Sequence, residues 1–286
     1  MFAALRRLPA GLRPRRCDTD ILVSLDGHGA AQRASLLFAS ATPLKLSWSE
    51  LPLDPAGEIL TMYGAALAAP AAGSGEAGAL TLAGLGEYLD LPDVDVRQPP
   101  PGGPRFACLT PVARLNREVW ALFAQLLNDD PAASLTLNLG ELDDAAGQRV
   151  AADFAAYQIA PQRLHFVRAS DAKALCQAWN DVDVGLAPLH GDGDQALPTC
   201  LWMNRPYVAI DSPLPWSRRP AALLRLAGLA HCVAADAADY PARARQLGTS
   251  REKVAGRSAL RASLASSAES FVADFSERIL QAFRAS

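Results

Sequence analysis

Residues 161–186, PQRLHFVRASDAKALCQAWNDVDVGL, contain the pattern that decides the fold of this chain. Two short apolar runs, at 164–167 and 182–186, flank a segment at 171–179 that predicts a helix, with Ser170 as its cap. Strand-like runs that alternate with helical segments at this spacing predict βαβ units, in which a crossover helix joins two parallel strands. We therefore expect a parallel sheet around this stretch.

The same alternation continues on both sides of it. Because crossovers are right-handed, the pattern predicts a doubly wound, Rossmann-like domain whose ligands lie beyond the carboxyl ends of the strands. No GxGxxG fingerprint is present, so a dinucleotide site has no support. Further strands are predicted at 106–109, 134–139, 207–210 and 232–233, and further helices at 116–127, 144–157, 198–203, 220–227 and 240–247.

The N-terminal third has a weaker pattern. DILVSLD at 20–26 and PLKLSW at 43–48 predict two strands, and the chain then becomes rich in small residues. Residues 65–78 are typical of a flexible loop, and QPPPGGP at 98–104 of a stiff linker. We place a domain boundary there, which gives an N-terminal domain at 1–103 and a C-terminal Rossmann-like domain at 104–286.

Composition excludes several classes of function. The formal net charge of −3 gives no general attraction to nucleic acid or anionic lipid, and no apolar run reaches the ~20 residues of a membrane helix. The five cysteines show no CxxC pair and no Cys/His metal spacing, so we expect no metal site. Free thiols are the simplest interpretation and predict a cytoplasmic protein.

Several motifs resemble those of the O-GlcNAc transferase and SPINDLY-like glycosyltransferases. Residues 161–186 are similar to that family's P-x-R-[LI]-x-F stretch, and LWMNRPYV at 201–208 to its L-W-x-G-x-P-x-V. DILVSLDGH at 20–28 is similar to its D-I-L-V-D-L-x-G-H. The resemblance implies the GT-B fold, with two Rossmann-like lobes around a UDP-sugar. It also implies that the N-terminal lobe is incomplete here, because the family's lobe begins well before this motif.

The resemblance also assigns candidate site residues. His28, after the first strand, is the candidate catalytic group, and Arg114 takes the place of a lysine that meets the diphosphate. Asp194 and Gln195 fall in the family's phosphate-binding loop, and the ribose-binding acid falls on Thr199 or Cys200. The remaining nucleotide-site positions are Asp171, near the uracil, and Arg218.

The departures from the family motifs leave two hypotheses. Asp192 and Asp194 now stand where an anion should bind, and the hydroxyls of the phosphate loop are gone. One hypothesis is a degenerate module, a pseudoenzyme that acts through a protein partner. The other is an active UDP-sugar-dependent protein O-glycosyltransferase with an altered donor site, which needs no cofactor beyond the sugar nucleotide.

Overall fold

The computed structural model describes eight stretches of the chain: residues 19–24, 37–48, 59–64, 79–83, 90–189, 195–212, 217–250 and 268–285. They belong to two compact units, one made of residues 1–86 and 268–286 and the other of residues 87–267. No helix in these stretches is long and apolar enough to cross a membrane. The loop predicted at 65–78 lies outside the described residues.

Strands and helices alternate from residue 105 onward in the described part of the chain. The strands are β1 (Ile21–Ser24), β2 (Leu44–Trp48), β3 (Leu60–Gly64), β4 (Ala79–Leu82), β5 (Arg105–Pro111), β6 (Ser134–Asn138), β7 (Leu164–Val167), β8 (Val184–Leu186), β9 (Tyr207–Ile210) and β10 (Val233–Ala234). The helices are α1 (Arg117–Asp129), α2 (Asp144–Ala155), α3 (Ala172–Ala178), α4 (Ala196–Trp202), α5 (Arg219–Leu226), α6 (Asp239–Ser250) and α7 (Ala268–Ala285).

The first unit contains a parallel sheet with the strand order β1-β2-β3-β4. The C-terminal helix α7 packs its apolar side on this sheet, where Ile279 is buried against Leu44 and Leu46. Trp48, the last residue of β2, stacks on Phe275 of α7 with the ring centroids 5.9 Å apart. The helix that ends the described chain thus completes the core of the unit in which the chain starts.

The second unit contains a six-stranded parallel sheet with the order β10-β9-β8-β5-β6-β7. The chain first builds outward from β5 through β6 to β7, then crosses back and builds outward in the other direction from β8. This reversal makes the gap between β5 and β8 the topological switch point, where doubly wound folds bind ligands. The predicted α/β class, with a Rossmann-like parallel sheet, is confirmed.

Local signals place most helix ends as the sequence predicts. The Asn116 side chain accepts a hydrogen bond from the Val119 amide at 3.1 Å and caps α1. Gly228, at φ 74°, follows α5 in the left-handed conformation that suits glycine. The predicted Ser170 cap is wrong: Asp171 caps α3, because its carboxylate accepts from the Ala174 amide at 2.8 Å.

The two compact units divide the chain differently from the boundary predicted at 103/104. Residues 90–103 lie in the second unit, where the Arg97 amide donates to Asn180 at 2.7 Å and the Trp202 indole donates to the Pro92 carbonyl. Helix α7 lies in the first unit because its apolar residues pack on β1 and β2. Composition identifies the Pro/Gly stretch at 98–104, but it carries no information about which of the two units that stretch packs against.

Candidate functional site

Three of the predicted site residues lie in the connections that leave the carboxyl edge of the second sheet. Arg114 ends the short 3-10 turn that follows β5, Gln195 precedes α4 after β8, and Arg218 precedes α5 after β9. Strands β5, β8 and β9 are neighbours in the sheet, and neighbouring strands lie about 4.8 Å apart. Arg114 and Gln195 therefore follow the two strands that flank the topological switch point, and Arg218 follows the next strand along.

The other predicted residues do not join this group. Asp171 follows β7, which lies two strands beyond β5 and so about 10 Å along the edge. Its carboxylate is already used as the cap of α3. His28 and Asp194 lie outside the described residues, as do His190 and Asp192.

Arg114 is the exposed cation of the switch point. Its backbone position is set by Pro111, which ends β5, and by the turn in which the Leu115 amide donates to the Val112 carbonyl at 3.1 Å. A guanidinium presents a planar fork of N–H donors that suits carboxylate or phosphate oxygens. An anion reaching this edge could therefore be bound by Arg114.

Thr199 and Cys200, the residues at the ribose position of the resemblance, are both buried with an exposure of 0%. The Thr199 hydroxyl donates to the Gln195 carbonyl at 2.5 Å and accepts from the Trp179 indole at 3.0 Å. The Cys200 thiol lies 3.6 Å from the carbonyls of Arg205 and Pro206, and burial raises its pKa well above the ordinary value. Both side chains are therefore enclosed by the protein and make their hydrogen bonds within it.

Sequence reasoning missed Asn138, whose side chain connects the ends of neighbouring strands at the same edge. This buried residue ends β6, and its amide nitrogen donates to the carbonyls of Leu109 and Ala169, both at 2.9 Å. Its oxygen accepts from the amides of Ala169 and Gly140, both at 3.0 Å. The signal in the sequence is an asparagine that ends an apolar strand and is followed two residues later by a glycine, which adopts φ 60°.

Tyr240 is a second buried residue that sequence reasoning missed. Its hydroxyl donates to the Ala187 carbonyl at 2.7 Å, and Ala187 directly follows β8. Burial raises the pKa of Tyr240 well above its ordinary value, so the hydroxyl stays protonated and remains a donor. The base of the loop between β8 and α4 is thereby fixed to helix α6.

Comparison with solved structures identifies this architecture. The O-GlcNAc transferase of Thermobaculum terrenum superposes with a TM-score of 0.74 at 24% identity, over 93% of this chain and 53% of that one. The galactosyltransferase WaaB of the lipopolysaccharide outer core superposes with a TM-score of 0.55 at 12% identity, over 92% of this chain and 75% of that one.

The Anabaena protein HepE, solved in complex with UDP and glucose, also has a TM-score of 0.55, at 11% identity over 93% of this chain and 78% of that one. The fold is that of the GT-B glycosyltransferases. The chain spans about half the length of the O-GlcNAc transferase that it matches. No family model matches the sequence, and no curated protein is significantly similar to it.

The segment that resembles L-W-x-G-x-P has a left-handed residue at its glycine position. Asn204 occupies the glycine position of that motif and adopts φ 56°. Asparagine enters the left-handed region more readily than other residues with a Cβ atom. The turn after α4 therefore keeps the conformation that glycine would supply, although the residue has changed.

Metal ligation finds no support within the residues that the structure describes. They contain no group of three or more His, Cys, Asp or Glu side chains that could hold a metal ion. Around the ends of β5, β8 and β9, the described residues include the exposed Arg114, the half-buried Arg218 and Gln195.

Proposed function

We propose that this chain is a degenerate, O-GlcNAc-transferase-like glycosyltransferase module, a pseudoenzyme that acts by binding a protein partner. The proposal is carried by the burial of Thr199 and Cys200 at the position where the resemblance requires a ribose-binding acid. Both are uncharged and have their hydrogen bonds within the core, so they cannot hold a ribose hydroxyl. A donor site without this contact lacks an important hydrogen bond to the ribose of the nucleoside.

Two further positions support the loss of donor binding. Asp171, assigned to the uracil region, is held as the cap of α3. In the sequence, Asp192 and Asp194 bring two carboxylates to the phosphate loop. Two like charges about 4 Å apart repel by about 4 kcal/mol at an effective dielectric of 20, so these acids disfavour a diphosphate.

The second candidate function is an active UDP-sugar-dependent O-glycosyltransferase with an altered donor site. It is favoured by Arg114, which is exposed directly after β5 at the switch point and could stabilise a leaving diphosphate. The related fold of HepE was solved with UDP and glucose, which makes UDP the ligand to test. His28 would be the acceptor-activating group in this alternative.

Titration with UDP by isothermal calorimetry separates the two functions. We expect no binding heat up to millimolar UDP and no thermal stabilisation, since a ligand that binds only the folded state must raise its stability. Binding that is abolished by Arg114→Ala, and kept by the control Arg149→Ala on the exposed side of α2, would contradict the pseudoenzyme and favour the active enzyme.

The partner and the compartment belong to the same proposal. The four cysteines of the described residues, Cys108, Cys176, Cys200 and Cys232, are free and buried, which supports a reducing environment such as the cytoplasm. A protein partner follows from the proposed loss of catalysis, because a retained fold without turnover needs another role. Affinity capture of the tagged chain, followed by reconstitution of the complex from purified components, tests this role.

A further inference from the structure

Residues 90–100, DLPDVDVRQPP, form an extended segment on the second unit, which we call the strap. None of its residues belongs to a helix or a strand. Val94 and Val96 are half-buried whereas Asp93 and Asp95, which alternate with them, are exposed, so the strap contacts the unit through one face, as a strand would. It lies against side chains of the same unit, and we call the surface that they form the groove.

Asn180 makes a two-point contact with the main chain of the strap. Its amide nitrogen donates to the Asp95 carbonyl at 3.1 Å, and its oxygen accepts from the Arg97 amide at 2.7 Å. A neighbouring β-strand would offer the same pair of one donor and one acceptor to alternate residues. The carboxamide, which is 3% exposed, thus takes the place of a strand edge.

Three more side chains of the groove donate to carbonyls of the strap. The Trp202 indole donates to the Pro92 carbonyl at 2.7 Å, and Arg205 donates to the Arg97 carbonyl. Arg105 donates to the Pro100 carbonyl and pairs with Asp183 at 3.1 Å. All of these contacts reach main-chain atoms, which any extended peptide possesses.

Arg205 is the most unusual of these groups because it is a cation with an exposure of only 5%. Its other hydrogen bonds also go to carbonyls, those of Trp179 at 3.1 Å and Asn180 at 3.4 Å. Burial lowers its pKa from the ordinary value, which reflects the cost of removing the guanidinium from water. The main chain of the strap thus supplies one of the acceptors of this buried cation.

We propose that this groove is a docking site for an extended peptide segment of a partner protein with apolar residues at alternate positions, and that the strap is its intramolecular competitor. The inference rests on the proposed protein-binding role and names its surface. The contacts of the strap described above are side chain to main chain. It can therefore leave the groove without breaking the six-stranded sheet, in the manner of a local opening.

A synthetic peptide with the strap sequence tests the groove in trans. The labelled peptide DLPDVDVRQPP is titrated with the full chain and its fluorescence anisotropy is measured. The wild-type chain should bind it weakly, because the tethered strap competes at high effective concentration. The double variant Val94→Asp, Val96→Asp weakens the strap and should bind the peptide about 10²-fold more tightly, within the range by which tethering changes affinity.

Two controls address the recognition of the main chain. A peptide methylated on the amide nitrogen of Arg97 cannot donate to Asn180 and should lose binding, whereas a peptide with Asn at position 95 should keep it. In the weakened chain, Arg205→Met should also remove binding. Because this change could unfold the protein, Trp202→Phe is the milder second variant, which keeps the ring but loses the donor to Pro92.

The proposal is overturned if the folded double variant fails to bind the peptide, or if the N-methylated peptide binds as well as the original. Circular dichroism and the melting temperature establish that each variant is folded. A failure here removes the groove as a docking site and leaves the UDP titration unaffected. Binding of UDP that depends on Arg114 would instead contradict the proposed function and leave the peptide result standing.

Discussion

The indole N–H of Trp179 donates to the hydroxyl oxygen of Thr199 at 3.0 Å, and both residues are completely buried. Trp179 ends α3 and Thr199 lies within α4, so the bond joins the helices that flank β8. The threonine hydroxyl donates in turn to the Gln195 carbonyl. Thr199, which the resemblance places in a nucleotide site, thus makes its hydrogen bonds within the core.

Thr199→Val should destabilise the chain, because the methyl group that replaces the hydroxyl leaves the indole N–H buried without an acceptor. A buried unpaired donor costs about 1–3 kcal/mol. Urea denaturation of Thr199→Val, Trp179→Phe and the double variant forms a double-mutant cycle. We expect a coupling free energy of about 0.5–1.5 kcal/mol, and strict additivity would show that the hydrogen bond contributes nothing.

Two glycine substitutions should change stability in opposite directions. Gly228 has φ 74°, so Gly228→Ala should cost about 1–2 kcal/mol although no heavy atom lies within 4 Å of the new Cβ. Gly147 lies within α2, where a Cβ would contact Leu139 at an ordinary 3.5 Å, and Gly147→Ala should stabilise by about 0.5–1 kcal/mol. Equal effects of the two changes in chemical denaturation would contradict the backbone argument.

Asp239 should contribute a pH-dependent part of the stability. The Arg243 guanidinium, which donates at 2.7 and 3.1 Å, and the Ala235 amide lower the pKa of this carboxyl in the folded state. A carboxyl whose folded pKa is depressed stabilises the protein above its unfolded pKa of about 3.9, and loses that contribution as the pH falls through the folded value.

The melting temperature of the wild type should therefore fall more steeply below about pH 4 than that of Asp239→Asn. Arg243→Gln serves as the reciprocal variant, because it removes the main cause of the shift and should give the same shallower curve. Parallel curves for wild type and both variants would show that this ion pair does not contribute.

Thiol labelling should report on global unfolding. The four described cysteines are buried, and burial raises the pKa of Cys200, which disfavours the reactive thiolate. In a Cys17→Ser background, Ellman's reagent should react with the folded chain only at the rate of opening, and rapidly with all thiols in urea. Fast reaction of one thiol in native buffer would indicate a local opening.

The sequence was most informative about the second unit. Strands β5 to β10 were each predicted within a few residues of their observed bounds, because apolar runs alternate there with helices that have clear caps. Strands β3 and β4 were missed, since LTMYG and ALTL are short and lie among small residues with little periodicity. Pattern alone separates such runs poorly from loops.

The contacts that complete the site could not be predicted, because they depend on distant parts of the chain. The sequence predicts only that Asn138 lies in a strand, yet its carboxamide joins the ends of β5, β6 and β7 by hydrogen bonds. Asp171 was assigned by resemblance to a nucleotide site, and its use as a helix cap depends on the local turn. Arg114 follows β5, as strand order and motif together predict, and its role in binding an anion stays a prediction.

Helix α7 packs on strands that lie near the beginning of the chain, while the whole second unit is encoded between them. During translation β1 to β4 emerge first, but their apolar face is covered only when residues 268–285 follow, so the second unit can complete its fold before the first. A nascent chain stalled before residue 268 should consequently hold a protected second unit beside a first unit that proteases still cut. Biogenesis would thus proceed from the middle of the gene product toward its ends.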